Sequence, residues 1–75
     1  INVTGDGTTN ADYITITGNV CYNNGGDGIE IVGGANANKN IVMGNQLLGN
    51  TNPLVDGGTN TLKQDSGAQS FNIIV

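Results

Sequence analysis

A pattern that recurs every 26 residues constrains the fold of this chain more than any other feature. Moving the sequence forward by 26 positions places Gly18-Asn19 on Gly44-Asn45 and Asn24 on Asn50. A fixed period of this length is typical of a solenoid, whose units bury their apolar faces only by stacking on one another. In 75 residues we expect about three such units, which form a single domain.

The segments between the turns carry the alternation of β-strands. From Tyr13 to Thr17, isoleucines and threonines alternate, and in Ile29–Ile31 the central Glu30 faces outward between two apolar residues. Gly and Asn together make up about a third of the chain, and no segment has a helical period. The sequence therefore predicts an all-β fold: a right-handed parallel β-helix of about three coils of roughly 26 residues.

The period also predicts which side chains stack along the axis, about 4.8 Å apart. The expected apolar ladders are Val3/Ile29/Val55, Ile16/Val42 and Cys21/Leu47, and the expected asparagine ladders are Asn19/Asn45 and Asn24/Asn50. Cys21 is accordingly expected to be a buried thiol. The pair Ile14/Asn40 leaves two alternatives: Asn40 faces inward and has hydrogen-bond partners, or the strand slips and Ile41 and Met43 face inward.

The repeat weakens after Val55. We therefore expect β-helix coils over residues 1–60 and an irregular C-terminal coil or cap over 61–75. The latter contains two β-prone runs, Thr61–Lys63 and Phe71–Val75, on either side of a polar stretch at 65–70. Because Ile1 already lies within a repeat, we expect the chain to be a piece of a longer protein.

Charge excludes some partners. The net charge is −4, with two Lys and neither Arg nor His, whereas a nucleic-acid surface needs clustered cations. The longest apolar runs, such as Ile73–Val75, are too short to span a bilayer. We expect neither a nucleic-acid nor a membrane partner.

Two stretches carry a resemblance to a known family. Ile-Thr-Ile-Thr-Gly-Asn at 14–19 and Tyr-Asn-Asn-Gly-Gly-Asp-Gly-Ile-Glu-Ile at 22–31 resemble coils of the pectate-lyase-like superfamily, and the resemblance spans about 13–56. That superfamily includes polysaccharide lyases and hydrolases, alginate epimerases, periplasmic carbohydrate-binding β-helix proteins and phage tailspikes. The resemblance implies an acidic or neutral polysaccharide as partner, and an extracellular, cell-surface or virion location.

Four residues are candidates for polysaccharide contact: Tyr13, Thr15, Glu30 and Asp56. The alternation places Tyr13 outward beside Thr15, where its ring could stack on a sugar; alternatively, the ring packs under a loop. Glu30 and Asp56 lie one period apart, so we expect them in one outward column. With Asp27 they could bind Ca²⁺, which takes six to eight oxygen ligands, or they are simply solvated surface carboxylates.

Catalysis is not assigned by the sequence. Lyases of the resembling superfamily use a basic side chain to remove a proton, and only Lys39 and Lys63 could serve here; neither lies in a recognisable motif. Whether the parent protein is an enzyme stays open. We expect this chain to act as scaffold and glycan-contact surface, with any catalysis supplied by other coils. The alternative is a structural module, the trimerising tip of a tailspike or fibre, which would make the protein a homotrimer.

Overall fold

The computed structural model describes residues 1–64, 66 and 71–75. In this part of the chain every regular element is a β-strand. The strands are β1 (Asn2–Thr4), β2 (Thr15–Ile16), β3 (Val20–Tyr22), β4 (Asp27–Asn38), β5 (Ile41–Val42), β6 (Asn45–Leu48), β7 (Asn52–Thr59), β8 (Leu62–Lys63) and β9 (Asn72–Ile74).

The strands form three parallel sheets, each with one strand from every coil. The sheet orders are β1-β4-β7, β2-β5-β8 and β3-β6-β9, and every pairing is parallel. A chain that returns to the same sheet every third strand winds as a solenoid. The expected all-β parallel β-helix of about three coils is therefore confirmed.

The core lies between the three sheets. Ile16 lies opposite Val42 and Cys21 lies opposite Leu47, which confirms two of the predicted apolar ladders. The core consists of Ala11, Ile16, Cys21, Ile29, Ile31, Ala37, Val42 and Leu47. Cys21 is a buried free thiol, as expected.

The third apolar ladder, Val3/Ile29/Val55, is wrong. In the structure Val3 lies opposite Ile31, and Ile29 lies opposite Leu54. The pairing of β1 on β4 is offset by 28 residues and that of β4 on β7 by 25, as the numbers of the paired residues show. Only the other two sheets keep the 26-residue offset between the first two coils.

Unequal connections between the first and second sheets cause this slip. Between stacked inward positions of these sheets, the chain advances 13 residues in the first coil, 11 in the second and 7 in the third (Val3 to Ile16, Ile31 to Val42, Asp56 to Lys63). From the second sheet to the third, it advances five residues in both of the first two coils (Ile16 to Cys21, Val42 to Leu47). Constant corners keep the period, and variable connections shift it.

The constant corner is built from a left-handed residue followed by asparagine. Gly18 and Gly44 have φ of 72° and 71°, a conformation that glycine adopts without strain. The Oδ1 atom of Asn45 accepts hydrogen bonds from the main-chain N (3.0 Å) and the Nδ2 atom (3.1 Å) of Asn19 in the coil before. The Nδ2 atom of Asn45 donates to the main-chain oxygen of Ile16 at 2.9 Å. One amide thus satisfies two main-chain groups of the preceding coil.

The same bonding recurs at the other corners, so both predicted asparagine ladders are confirmed. Asn72 binds Asn45 and the main-chain oxygen of Val42, and Asn50 binds Asn24 and the main-chain oxygen of Cys21. Asn40, Asn45 and Asn72 are at most 1% exposed. Within the described residues, every buried side-chain nitrogen or oxygen has a hydrogen-bond partner.

Asn40 resolves the two alternatives left by the sequence. It is fully buried, its Oδ1 atom accepts from the main-chain N of Ile14 at 2.8 Å, and its Nδ2 atom donates to the main-chain oxygen of Ala11 at 2.9 Å. Ile41 and Met43 are only partly buried. The inward asparagine with partners is the correct alternative.

Two other regions differ from the expected loops. The predicted loop Gly33–Lys39 lies almost wholly in β4, which pairs with β7 through two register shifts. Gly33 is required there, because a Cβ atom would lie 2.6 Å from the main-chain oxygen of Gly5. In 61–75, β8 and β9 add the third strand to two sheets; of the polar stretch at 65–70, residues 65 and 67–70 lie outside the described residues.

We predict that replacing Asn45 by alanine costs about 2 to 3 kcal/mol of unfolding free energy, because buried main-chain groups of Ile16 and Asn19 lose their partner. Asn19→Ala is the matched control. Its side chain is half-buried, and its loss should cost at most about 1 kcal/mol. Urea unfolding of both variants measures the difference, and equal losses would contradict this role of Asn45.

Candidate functional site

One corner of the solenoid carries large side chains at the left-handed position. Before β2, β5 and β8, this position is occupied by Tyr13, Lys39 and Asn60, with φ of 59°, 59° and 55°. A positive φ is uncommon for residues other than glycine and asparagine, and it is a true outlier for a bulky one. Such outliers concentrate at functional sites. We call these three residues the Tyr13 corner.

The side chains of the Tyr13 corner are solvent-exposed and in contact. Tyr13 is 73% exposed, and the Nζ atom of Lys39 lies 5.7 Å from the centroid of its ring, within cation–π range. The main-chain N of Tyr13 donates to the oxygen of Asn38 at 3.1 Å, and that of Lys39 donates to the oxygen of Thr59 at 2.9 Å. The backbone therefore holds an accessible aromatic ring beside a cation.

Polar groups surround this ring and cation. The Nδ2 atom of Asn60 donates to the Oδ1 atom of Asn38 at 3.2 Å, and the main-chain N of Asn38 donates to Asp12 at 2.9 Å. Thr15, on β2, exposes its hydroxyl-bearing side chain. Amide, carboxylate and hydroxyl groups next to an aromatic face can bind a ligand that has both apolar C–H faces and hydroxyls.

Glu30 and Asp56 do not share a column, so that prediction is wrong. Glu30 lies opposite Asn2 and Val55, whereas Asp56 lies opposite the fully buried Ile31. The cause is the 25-residue offset of β4 on β7, because a slip of one residue moves a side chain to the other face of a strand. Asp56 consequently points into the solenoid.

Asp56 and Lys63 form an ion pair at inward positions of the third coil. Lys63 lies opposite Val42, and its Nζ atom is 3.2 Å from the Oδ2 atom of Asp56, whose side chain is 9% exposed. The Oδ1 atom of Asp56 also accepts from the main-chain N of Gly58 at 2.9 Å and from Thr61 at 3.0 Å. Burial raises the pKa of Asp56, but hydrogen bonds from Gly58, Lys63 and Thr61 together with the charge of Lys63 outweigh it, so the pKa is lowered.

The residues predicted to bind Ca²⁺ do not form one ligand set. Asp27 accepts from the Nδ2 atom of Asn52 at 2.9 Å, and Glu30 accepts from the Nδ2 atom of Asn2 at 2.7 Å. Asp56 lies inside the coil with Lys63. Among the described residues, no three His, Cys, Asp or Glu side chains are grouped so that they could hold a metal ion. This donor arrangement does not fit Ca²⁺ coordination by six to eight oxygens.

The structure thus brings together only two of the four residues predicted to contact polysaccharide, Tyr13 and Thr15. Glu30 belongs to another sheet. The sequence analysis considered Lys39 only as a base and did not include Asn60. The available signal was position: Lys39 precedes Asn40 as Gly44 precedes Asn45, so both occupy the corner site.

Comparison of the chain with profiles of known protein families, with curated proteins and with solved structures gives no match. The part of the chain that the structure describes has no helix long and apolar enough to cross a membrane.

We predict that the ion pair makes stability depend on pH in the acidic range. A carboxyl whose pKa is lowered below the ordinary 3.8 in the folded state stabilises the fold above its unfolded pKa, and this contribution is lost as the pH falls from about 5 downward. Urea unfolding across this range should show a shallower acid loss for Asp56→Asn. In Lys63→Gln the loss should begin at a higher pH, because the cation that lowers the pKa of Asp56 is gone. Acid curves identical to that of the unmodified chain would contradict this role.

Proposed function

We propose that this chain is a scaffold and glycan-contact module of an extracellular, cell-surface or virion β-helix protein of the pectate-lyase-like type, and that the Tyr13 corner is its contact surface. The observation that carries the proposal is the exposed Tyr13 ring, held at a positive φ beside Lys39. The resemblance of 14–19 and 22–31 to coils of that superfamily supports the same substrate class. Any catalytic centre of a parent protein would lie in other coils.

The aromatic ring supports a carbohydrate ligand. A tyrosine with 73% of its surface exposed keeps apolar area in contact with water, which is favourable only if a ligand covers it. The C–H face of a pyranose ring covers such a surface, and its hydroxyls reach the neighbouring polar groups. Thr15 and Asn60 offer a hydroxyl and an amide next to the ring.

The cation favours an acidic over a neutral sugar. The chain has a net charge of −4, yet Lys39 is exposed and, among the described residues, is in no ion pair with a carboxylate. A uronate carboxylate next to the stacked ring could pair with the Nζ atom of Lys39. We therefore propose an acidic polysaccharide, with a neutral one as the weaker ligand.

We predict that Tyr13→Ala weakens binding of this chain to alginate or polygalacturonate oligosaccharides at least tenfold, or about 1.4 kcal/mol, because the stacking surface is lost. Isothermal titration calorimetry measures it, with neutral dextran oligosaccharides as the comparison ligand. Tyr22→Ala is the matched control, because Tyr22 is 65% exposed on a different sheet and should leave affinity unchanged.

Two further arms sharpen this test. Lys39→Gln should weaken binding of the acidic ligands while leaving dextran unaffected. Titrations with and without Ca²⁺ show whether the ion bridges an acidic ligand to the protein. If the unmodified chain binds none of these ligands, or if Tyr13→Ala and Tyr22→Ala lose affinity equally at equal solution mass, the glycan-contact proposal is overturned.

An apolar outer face favours a second function, the trimerising module of a spike or fibre. The face belongs to the sheet β3-β6-β9 and carries Val20 (62% exposed), Tyr22 (65%), Ile73 (44%) and Val75 (74%). Val20, Gln46 and Ile73 stack in one column. Contiguous exposed apolar side chains mark interaction surfaces, so a homotrimer assembled through this face would bury them.

For this second function, we predict that light scattering gives a trimer mass, and that Ile73→Lys converts it to a monomer by placing a charge in the apolar contact. The matched control is Val32→Lys, because Val32 is 40% exposed on the outer face of another sheet and should leave the trimer intact. A monomeric unmodified chain would exclude the trimer, whereas the glycan titrations would keep their meaning.

A further inference from the structure

Asn24 differs from the other ladder asparagines in the residue that follows it. Asn24 is followed by Gly25, whereas the others are followed by residues with side chains: Val20, Ile41, Gln46, Thr51 and Ile73. A glycine leaves its own main-chain nitrogen unshielded and its backbone free to change conformation. This is the arrangement in which that nitrogen most readily reaches the Cγ atom of the preceding asparagine.

The structure leaves this dipeptide open to such an attack. Asn24, Gly25 and Gly26 are exposed, unlike the buried Asn40, Asn45 and Asn72. Within the described residues, the main-chain N of Gly25 makes no hydrogen bond. No atom lies within 4 Å of a Cβ added at Gly25, so neighbouring groups do not obstruct rotation at this point of the turn.

We propose that Asn24–Gly25 is a site of spontaneous deamidation that loosens the third corner of the solenoid. The main-chain N of Gly25, on losing its proton, forms a bond to the Cγ atom of Asn24. The bond from Cγ to Nδ2 breaks, and Nδ2 leaves as ammonia with that proton. Water then opens the resulting succinimide, at Cγ to give an ordinary aspartate or at the main-chain carbonyl to give isoaspartate; the net change is water taken up and ammonia released.

Deamidation acts directly on the Asn24/Asn50 ladder. The Nδ2 atom of Asn24 donates to the Oδ1 atom of Asn50 at 2.7 Å, and a carboxylate oxygen in its place faces another oxygen with no proton between them. Isoaspartate further lengthens the main chain by one methylene. That shifts the carbonyls of Asn24 and Gly25, which accept from the main-chain N and Oγ1 of Thr51.

The test incubates the full chain at mildly alkaline pH and follows peptide masses and the melting temperature. We expect the mass gain of amide-to-acid exchange at Asn24 at least roughly tenfold faster than at any other asparagine, because only Asn24 precedes a glycine. The melting temperature should fall in step by roughly 4 °C, the shift typical when one net hydrogen bond is lost from a domain of this size.

Two variants control the test. Gly25→Ala keeps the ladder and has room for its Cβ, so it should suppress the exchange at Asn24 and hold the melting temperature constant. Asn24→Asp should start with the lowered melting temperature and form little isoaspartate. The proposal is overturned if exchange appears first at another asparagine, if Gly25→Ala does not slow it, or if Asn24 is converted with no change in melting temperature.

Discussion

The structure depends on the asparagine side chain that ties each corner to the coil before it. Its oxygen accepts from a main-chain nitrogen of the preceding coil, and its nitrogen donates to a carbonyl of that same coil, as Asn40 does with Ile14 and Ala11. The apolar core is small, and dispersion contacts are not directional. Hydrogen bonds with fixed geometry are directional, and a fully satisfied buried network specifies a unique arrangement. The ladders therefore set how the coils stack, while the core supplies cohesion.

How far the sequence could predict this fold follows from where the ladders lie. Between the second and third sheets every inward residue of the first two coils is five positions from the next, so a constant period correctly placed Ile16 over Val42 and Cys21 over Leu47. The connections before the second sheet vary in length, and no feature of the sequence reports their conformation. A slip of one residue there was enough to turn Asp56 inward, because neighbouring strand residues face opposite sides.

The candidate site was predictable in the same uneven way. The alternation of the strand that follows Tyr13 indicated an exposed ring, and the ring is exposed. Lys39 and Asn60 escaped notice because what joins them to Tyr13 is a shared main-chain conformation rather than a side-chain pattern. Aligning the residues that precede corner asparagines, instead of the apolar residues, would have found Lys39. The site consequently changed from a column of carboxylates to an aromatic ring beside a cation.

The inward ion pair of Asp56 and Lys63 gives the solenoid a direction. The first coil presents the apolar columns of Val3, Ile16 and Cys21, whereas the third presents charges in two of the corresponding columns. If copies of this chain stacked head to tail, the charged pair would lie against those apolar side chains, and the desolvation of both ions would oppose the contact. Inward-facing charge is one way in which sheet proteins avoid edge-to-edge association. The same pair that closes the third coil thus acts against the growth of open-ended filaments from this repeat.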